Sequence, residues 1–180
     1  MSLSHIAKSW TLSGTSLNVI VALVLLAPIV FESGCGGSNP VTPPLALNEM
    51  QATSSGEGDF LANDAVADSS SGLYVVRATM SVGQVGSLVI ELSVPKQTAL
   101  PYLVDVASNS NAQISYCVNP NGTGCNQFDA ESSIGSGQIT VTQVSPTFMG
   151  SFQGTLWQIP NSGTDTVRIL NDGQFNAPWQ

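Results

Sequence analysis

The chain has 180 residues, of which 42% are hydrophobic and only 9% are charged, and its formal net charge is −8. Residues 35–180 contain three cations, Arg77, Lys96 and Arg168, against eleven acidic residues. They therefore offer neither the basic stripe that nucleic acid requires nor a cationic surface for anionic lipid, and we expect no nucleic-acid partner.

An apolar run of 13 residues occupies positions 19–31. A membrane-spanning helix needs about 20 residues, whereas the apolar core of a signal peptide has this shorter length. Lys8 and the amino terminus place positive charge before the run. The stretch predicts export from the cytoplasm, with an uncleaved amino-terminal anchor and an ordinary secreted protein as alternatives.

The residues that follow, Ser33-Gly34-Cys35, resemble the lipobox of bacterial lipoproteins. In that family a signal peptidase cuts before the cysteine, which then carries acyl chains such as palmitate. The resemblance implies a signal peptide at 1–34, lipidated Cys35 with a flexible tether at 35–44, and a single domain at 45–180. It places the protein in the bacterial cell envelope, lipid-anchored to a membrane and facing the periplasm or exterior. Glu32 departs from the pattern, which has an apolar residue there.

From residue 45 onward, short segments alternate apolar and polar residues between turn residues, which is typical of β-strands. No segment has helical periodicity. The pattern predicts an all-β domain, an antiparallel sandwich or closed barrel of about eight to ten strands with mostly meander connections. The predicted strands are 48–54, 59–63, 73–81, 87–94, 102–106, 113–118, 138–144, 147–159, 165–170 and 173–177, with a loop at 69–72.

Two strands show their buried faces most clearly. The even-numbered positions of 87–94 are all aliphatic, and those of 148–156 alternate phenylalanine and glycine before ending in Leu156. Glycine between aromatic residues on one strand face predicts tight curvature or close packing against another sheet.

Three short motifs follow one another in the second half of the chain. The first, at 137–141, is a predicted strand; the second, at 149–152, combines glycine and an aromatic residue within a strand; and the third, at 167–175, ends in glycine and an aromatic residue. In this respect residues 46–177 resemble a family of small bacterial lipoproteins of unknown function with an all-β domain. The resemblance implies the fold and the location, and it transfers no active site.

Cys117 and Cys125 flank a predicted hairpin loop at 119–123. The loop places the two cysteines directly opposite each other, within reach of a disulfide, and an oxidising compartment permits the bond. Zinc is the less favoured alternative, because it requires four ligands and the single histidine, His5, precedes the predicted cleavage point.

Residues that carry catalysis are scarce. Without a histidine after residue 34, the Ser-His-Asp and Cys-His arrangements are excluded. Ser93 and Lys96 match a Ser-x-x-Lys spacing, but Pro95 between them ends a strand, whereas that chemistry needs a helical turn. We therefore predict no catalytic residue and no cofactor.

Acidic residues leave two weaker hypotheses. Glu91 and Asp105 are expected on adjacent strands, where a carboxylate pair would suit glycoside cleavage, although solvated surface positions are favoured. The oxygen-rich segments 59–68 and 171–173 have the ligand type that calcium prefers, but they match no loop of defined spacing. Turn and cap roles are favoured, and no metal site is predicted.

Three aromatic residues, Trp157, Tyr102 and Trp179, are candidates for a sugar- or lipid-binding face, although packing in the core or at a sheet edge is favoured. The sequence thus predicts a membrane-tethered binding or structural module whose partner is a glycan, a small apolar ligand or an envelope protein. A lipocalin-like carrier of a small apolar ligand and a carboxylate-dependent envelope hydrolase are the alternatives.

Overall fold

The alternating segments form eleven β-strands in a computed structural model that describes residues 44–83, 86–119, 124–159 and 167–180. A 3₁₀ turn at Val106–Ser108 is the other regular element of these residues. The expected all-β fold is confirmed, with slightly more strands than the sequence predicts. In chain order the strands are β1 (Glu49–Ser54), β2 (Gly58–Ala62), β3 (Val66–Ser70), β4 (Leu73–Ser81), β5 (Ser87–Pro95), β6 (Tyr102–Asp105), β7 (Gln113–Asn119), β8 (Asn126–Ala130), β9 (Ser136–Gln143), β10 (Phe148–Ile159) and β11 (Val167–Ala177).

The strands belong to one compact unit, Pro43–Gln180. The predicted signal peptide, the lipidation at Cys35 and the tether up to residue 43 lie outside the described residues. Within the described part of the chain, no helix has the length and apolar character needed to cross a membrane.

All strands join one antiparallel sheet in the order β2-β1-β11-β10-β8-β7-β5-β4-β3. The sheet branches at β10, because β9 and β8 pair in succession along one edge of this strand while β11 occupies the other edge. The branch continues from β9 to β6. Most strands that follow each other in the chain are paired, so the predicted meander connections are confirmed for the majority of the sheet.

The sheet curls into a half-barrel, and isolated contacts rather than a regular ladder connect its two ends. The Leu61 amide of β2 donates a hydrogen bond to the Met80 sulfur of β4 at 3.2 Å. Ala67 of β3 forms an isolated parallel bridge with Trp179, beyond the end of β11. These contacts hold β2 and the chain terminus near β4 and β3.

The inward positions of the strands are apolar, as predicted. On β5 the even-numbered residues from Leu88 to Val94 are all buried, and Ile114 and Tyr116 on β7 are fully enclosed. At one end of the core, Phe148 packs against Phe175, Tyr74 and Trp179 with ring centroids 5.1 to 5.4 Å apart. Burial of these side chains is the main favourable contribution to folding.

Glycines on the inward face of β10 and β9 allow the close packing that the sequence predicts. A Cβ atom on Gly150 would lie 2.6 Å from Cζ of Phe175, and Cβ atoms on Gly137 and Gly154 would lie 2.7 and 3.1 Å from Cδ1 of Ile114. Ile114 therefore occupies space that any side chain at these two positions would need.

The other end of the core is covered by the turn between β1 and β2. Glu57 in this turn binds the guanidinium of Arg168, with Nη2 2.8 Å and Nε 3.0 Å from its two oxygens. Its carboxylate also accepts hydrogen bonds of 3.3 Å from the hydroxyls of Tyr116 and Ser54. Burial, and then the Glu57 charge, raise the pKa of Tyr116 far above the ordinary value, so its hydroxyl remains a donor.

Three features differ from the sequence prediction, the first of which is that strand β8 (Asn126–Ala130) was not predicted. Strand β3 was missed, and the predicted loop at 69–72 is its last two residues followed by a tight turn, in which Ser71 and Gly72 have φ of 48° and 83°. Positive φ at both central residues is typical of the two-residue hairpin turn. The two strands predicted at 165–170 and 173–177 form the single strand β11, which contains a bulge.

Replacement of Gly150 by alanine tests the packing of glycine against Phe175. Because the new methyl group would overlap the aromatic ring and the β9 backbone, we expect the free energy of unfolding to fall by about 1–3 kcal/mol. Urea denaturation gives this value. Gly124→Ala is the matched control, since no atom lies within 4 Å of its new Cβ. Equal stability of the two variants would contradict the packing.

Candidate binding face

The outer face of β9, β10 and β11 carries a strip of carboxamide and hydroxyl side chains. Gln138 lies opposite Gln153, and their carboxamides approach to 3.5 Å. Thr140 lies opposite Ser151, which is in turn opposite Gln174. Residues that face each other across antiparallel strands lie about 5 Å apart, so these polar groups form a continuous surface.

The strip extends across the neighbouring strands on both sides. Asp105 of β6 is opposite Gln138, and Gln51 of β1 is opposite Gln174. On β2, Asp59 is opposite Thr53 of β1. We call these polar outward residues of the six strands the polar face: Gln51, Thr53, Asp59, Asp105, Gln138, Thr140, Ser151, Gln153, Thr155, Asn171, Asp172 and Gln174. Exposed apolar side chains, Leu61 and Leu103 among them, lie between them on the same face.

A β-bulge in β11 lies at the centre of the polar face. Asn171 and Asp172 together oppose the single residue Gln153, which shifts the register between β10 and β11. Both are exposed. Asp172 has φ of 52°, a left-handed conformation that aspartate and asparagine tolerate better than most residues. The bulge thus places a carboxylate and a carboxamide side by side next to Gln153.

Four adjoining depressions follow the polar face. The first, of about 480 Å³, includes Trp157, and the second, of about 400 Å³, begins at the neighbouring outward residue, Thr155. The third, of about 310 Å³, shares Gln138 and Gln153 with the second, and the fourth, of about 260 Å³, shares Asp172 with the third. Together they form a shallow path along β10 that then crosses β11 towards β1 and β2.

Large apolar side chains are exposed at the start of this path. Trp157 is 36% exposed, Ile159 is 38% exposed and Ile169 is 42% exposed. Ile134 lines the same depression as Trp157 and Ile159. The path therefore begins at an apolar platform, continues over mainly polar groups in the second and third depressions, and ends beside Leu61, which is 60% exposed.

The charge of the polar face is entirely negative, from Asp59, Asp105 and Asp172. The three cations of residues 35–180 lie elsewhere. Arg168 binds Glu57 in the single ion pair found among the described residues, and Lys96 lies 5.3 Å from the centroid of the Tyr74 ring. Arg77 is opposite Glu91 on β4 and β5.

The structure does not bring the three candidate aromatic residues together. Tyr102 is only 7% exposed and donates a hydrogen bond to the Pro95 carbonyl at 3.2 Å. Burial, with a smaller contribution from Tyr74, raises the pKa of Tyr102 to about 12. Trp179 packs in the core cluster and donates to a backbone carbonyl at 2.8 Å. Of the three residues, Trp157 alone lies on the path, and Tyr102 and Trp179 have the packing role that the sequence favoured.

The expected carboxylate pair is also separated. Glu91 is on β5, which pairs with β4 and β7, whereas Asp105 is on β6, which pairs with β9. The sequence pattern could not show this, because β5 and β6 are consecutive in the chain but belong to different branches of the sheet. The Asp105 carboxylate accepts a hydrogen bond from the Ala107 amide at the 3₁₀ turn.

A buried carboxylate that the sequence analysis did not single out is Asp129 on β8, which is 2% exposed. Its oxygens accept hydrogen bonds from the Ser115 hydroxyl at 2.7 Å and the Gln127 amide at 2.9 Å. Each oxygen therefore has a protein donor, as buried polar groups require, and we assign this carboxylate a structural role.

Two of the residues considered for calcium accept backbone hydrogen bonds, while Asn171 and Asp172 form the bulge of β11 rather than a turn or cap. Asp64 accepts a hydrogen bond from the Thr79 amide at 2.7 Å, and Asp68 accepts one from the Ser69 amide. Among the described residues, no group of three or more acidic, histidine or cysteine side chains is arranged to hold a metal ion.

Cys117 and Cys125 lie at disulfide distance, with Cα atoms 5.5 Å apart. They are not directly opposite each other in the sheet, however, because Cys117 of β7 pairs with Gln127 of β8. Cys125 precedes β8, and the loop predicted between the cysteines lies largely outside the described residues.

Comparisons with known protein families, curated proteins and solved structures gave no match for this chain. The resemblance to small bacterial lipoproteins therefore stays a prediction from short motifs.

The backbone of the bulge can be tested at Asp172. Valine tolerates left-handed φ poorly, so we expect Asp172→Val to lower the free energy of unfolding by about 1–2 kcal/mol, whereas Asp172→Gly should leave it unchanged or slightly raised. Urea denaturation measures both. Gln174→Val, on the same strand but outside the bulge, is the control for adding a β-branched residue. If valine were equally tolerated at both positions, the left-handed assignment would be wrong.

Proposed function

We propose that this chain is a lipid-anchored lipoprotein of the bacterial cell envelope and that its all-β domain binds neutral glycans on the polar face. The observation that carries the proposal is the path of four adjoining depressions, the second and third of which are lined mainly by carboxamide, hydroxyl and carboxylate groups.

The hydrogen-bonding groups of the polar face match the chemistry of sugars. A sugar hydroxyl donates one hydrogen bond and accepts others, and a carboxamide presents a donor and an acceptor side by side. Gln51, Gln138, Gln153 and Gln174 supply such pairs on four neighbouring strands. Asp172 adds a charged acceptor, which makes stronger hydrogen bonds than a neutral one.

The charge of the face selects against anionic ligands. A polyanion would approach Asp59, Asp105 and Asp172 without meeting a cation on the polar face, and juxtaposed like charges oppose association. A typical protein partner is also disfavoured, because the centres of protein interfaces are depleted of charge and enriched in aromatic residues. An uncharged polymer with many hydroxyl groups is not repelled by the three aspartates, and its hydroxyls can bind the polar side chains that a protein interface would leave unpaired.

The alternatives fit the geometry less well. A lipocalin-like carrier needs apolar space inside the sheet, but Ile114 packs onto Gly137 and Gly154 there, and the depressions are exterior. The hydrolase hypothesis named Glu91 and Asp105 as its carboxylate pair, and these two residues are on separate branches of the sheet.

The lipobox resemblance gives the proposed binding module its location. A lipid on Cys35 and the tether at 35–44 would hold the domain at a membrane surface. The Gly, Ser, Asn and Pro composition of the tether favours a semi-extended chain. A tethered domain would meet extracytoplasmic glycans at high local concentration.

Native gels that contain a soluble polysaccharide test glycan binding. We expect the full-length protein, in mild detergent, to be retarded by at least one of hydroxyethylcellulose, xyloglucan and galactomannan, and not by anionic polygalacturonate. Gln153→Ala should weaken the interaction by about tenfold, because hydrogen bonds worth roughly 1–1.5 kcal/mol are lost.

The matched control for this variant is Gln97→Ala, an exposed glutamine outside the polar face. It should migrate like the unmodified protein. Unchanged mobility of the unmodified protein in every neutral polysaccharide would contradict glycan binding, and an equal loss in both glutamine variants would place the site elsewhere.

The anchor is tested by the intact mass of the full-length chain after expression in a bacterial host and extraction in mild detergent. We expect a polypeptide that begins at Cys35, carries acyl chains and has the mass of a disulfide between Cys117 and Cys125. Cys35→Ala should carry no lipid. A lipid-free product that begins at Met1 would show that the lipobox resemblance is misleading.

A further inference from the structure

We infer that the ligand of the polar face is an extended, equatorially linked neutral glycan that runs along β10, with one sugar ring stacked on Trp157. This inference rests on the proposed function and specifies the shape of the ligand and the residue that selects it. It is carried by the position and exposure of Trp157 at the apolar start of the path.

The outward residues of β10 form a straight line. Ser151, Gln153, Thr155 and Trp157 alternate with buried residues on the same strand, so their side chains all leave the same face of the sheet. At about 3.3 Å per residue, the line from Ser151 to Trp157 is about 20 Å long. A ligand that contacts the whole line must therefore be extended over several sugar rings.

The chain beside Trp157 is held close to β10 and keeps the start of the path open. Gly135 has φ of 73°, and a Cβ atom there would lie 2.5 Å from the Thr155 carbonyl oxygen and 3.0 Å from Cα of Ala130. Gly135 lines the depression of Trp157, and the next residue, Ser136, lines the depression of Thr155. The two depressions therefore lie next to each other at this point.

The first depression is the most apolar of the four, because Trp157, Ile134 and Ile159 line it. Sugars whose hydroxyls and linkages are equatorial expose C–H groups on both ring faces. Such a face packs on the indole ring, while the hydroxyls around the ring edge remain free for carboxamides. A flat aromatic platform followed by carboxamides at Gln153 and Gln138 suits a sugar chain of this shape.

Stacking can be distinguished from simple shielding of the sheet. Trp157 is paired in the sheet with Asp129 and Val167, so its removal also alters packing. Trp157→Phe retains an aromatic surface and Trp157→Ala does not, and thermal unfolding reports how far each change affects stability. Val82→Ala removes apolar surface from a side chain that is 41% exposed and lies outside the polar face, which makes it the control.

The experiment is a titration of the full-length protein, in mild detergent, with β-1,4-linked glucose oligosaccharides from disaccharide to hexasaccharide. Isothermal calorimetry and tryptophan fluorescence are the readouts. We expect affinity to rise with chain length and then level off, and the fluorescence to shift on binding. Trp157→Ala should weaken binding by about tenfold, as expected for the loss of one aromatic contact. Trp157→Phe and Val82→Ala should stay within about threefold of the unmodified protein.

Helical α-1,4-linked glucose oligosaccharides of the same lengths test the shape of the ligand and should bind more weakly. If Gln153→Ala loses binding but Trp157→Ala does not, or if the α-linked series binds as well, the stacked extended chain is overturned while glycan binding on the polar face stands. If the unmodified protein binds neither the oligosaccharides nor the neutral polysaccharides, the proposed function fails as well.

Discussion

The architecture depends on the close approach of β7 to β9 and β10 at Gly137 and Gly154, where a side chain would overlap Ile114. This is the region in which β10 changes its partner from β9 to β8. Because both glycines leave their inward sides free, Ile114 can pack directly onto the two backbones there. A bulky residue at either position would push β9 and β7 apart. The outward residues of β10 from Ser151 to Trp157 would then no longer be held in place by pairing with β9.

The same alternation that fills the core also builds the polar face. Successive side chains of a strand point to opposite faces of the sheet. Because Phe152 and Leu156 on β10 point into the core, the residues that follow them, Gln153 and Trp157, point outward. The bulge at Asp172 interrupts this rule at one place and adds two polar side chains opposite Gln153. The charged groups are separated by sign. Arg168 is bound by Glu57 over the end of the core, and the charged residues of the polar face are all acidic.

The sequence was sufficient for those features that depend on local pattern. The inward aliphatic positions of β5 and the glycine-aromatic face of β10 followed from period-two alternation, and both are confirmed. Strand β3 was missed because Val66 and Ala67 are its only apolar residues, and its position depends on pairing with β4 and the bridge to Trp179. Strand partners were equally inaccessible, since no local pattern shows that β5 and β6 join different branches. The polar face was missed for the same reason: isolated outward glutamines are ordinary, and only the register brings them together.

The distribution of aromatic side chains separates the proposed function from its alternatives more clearly than the fold does, because one fold can host many functions. A carrier would use its aromatic residues to line an interior ligand site, yet Phe148, Phe175 and Trp179 pack against one another. Of the three aromatic residues considered from the sequence, Tyr102 and Trp179 each donate their polar hydrogen to a backbone carbonyl. Trp157 remains exposed at the start of a path of hydrogen-bonding groups. Trp157 is 36% exposed, and under the proposed function its exposed surface is the part that contacts a ligand with an apolar ring face and many hydroxyl groups.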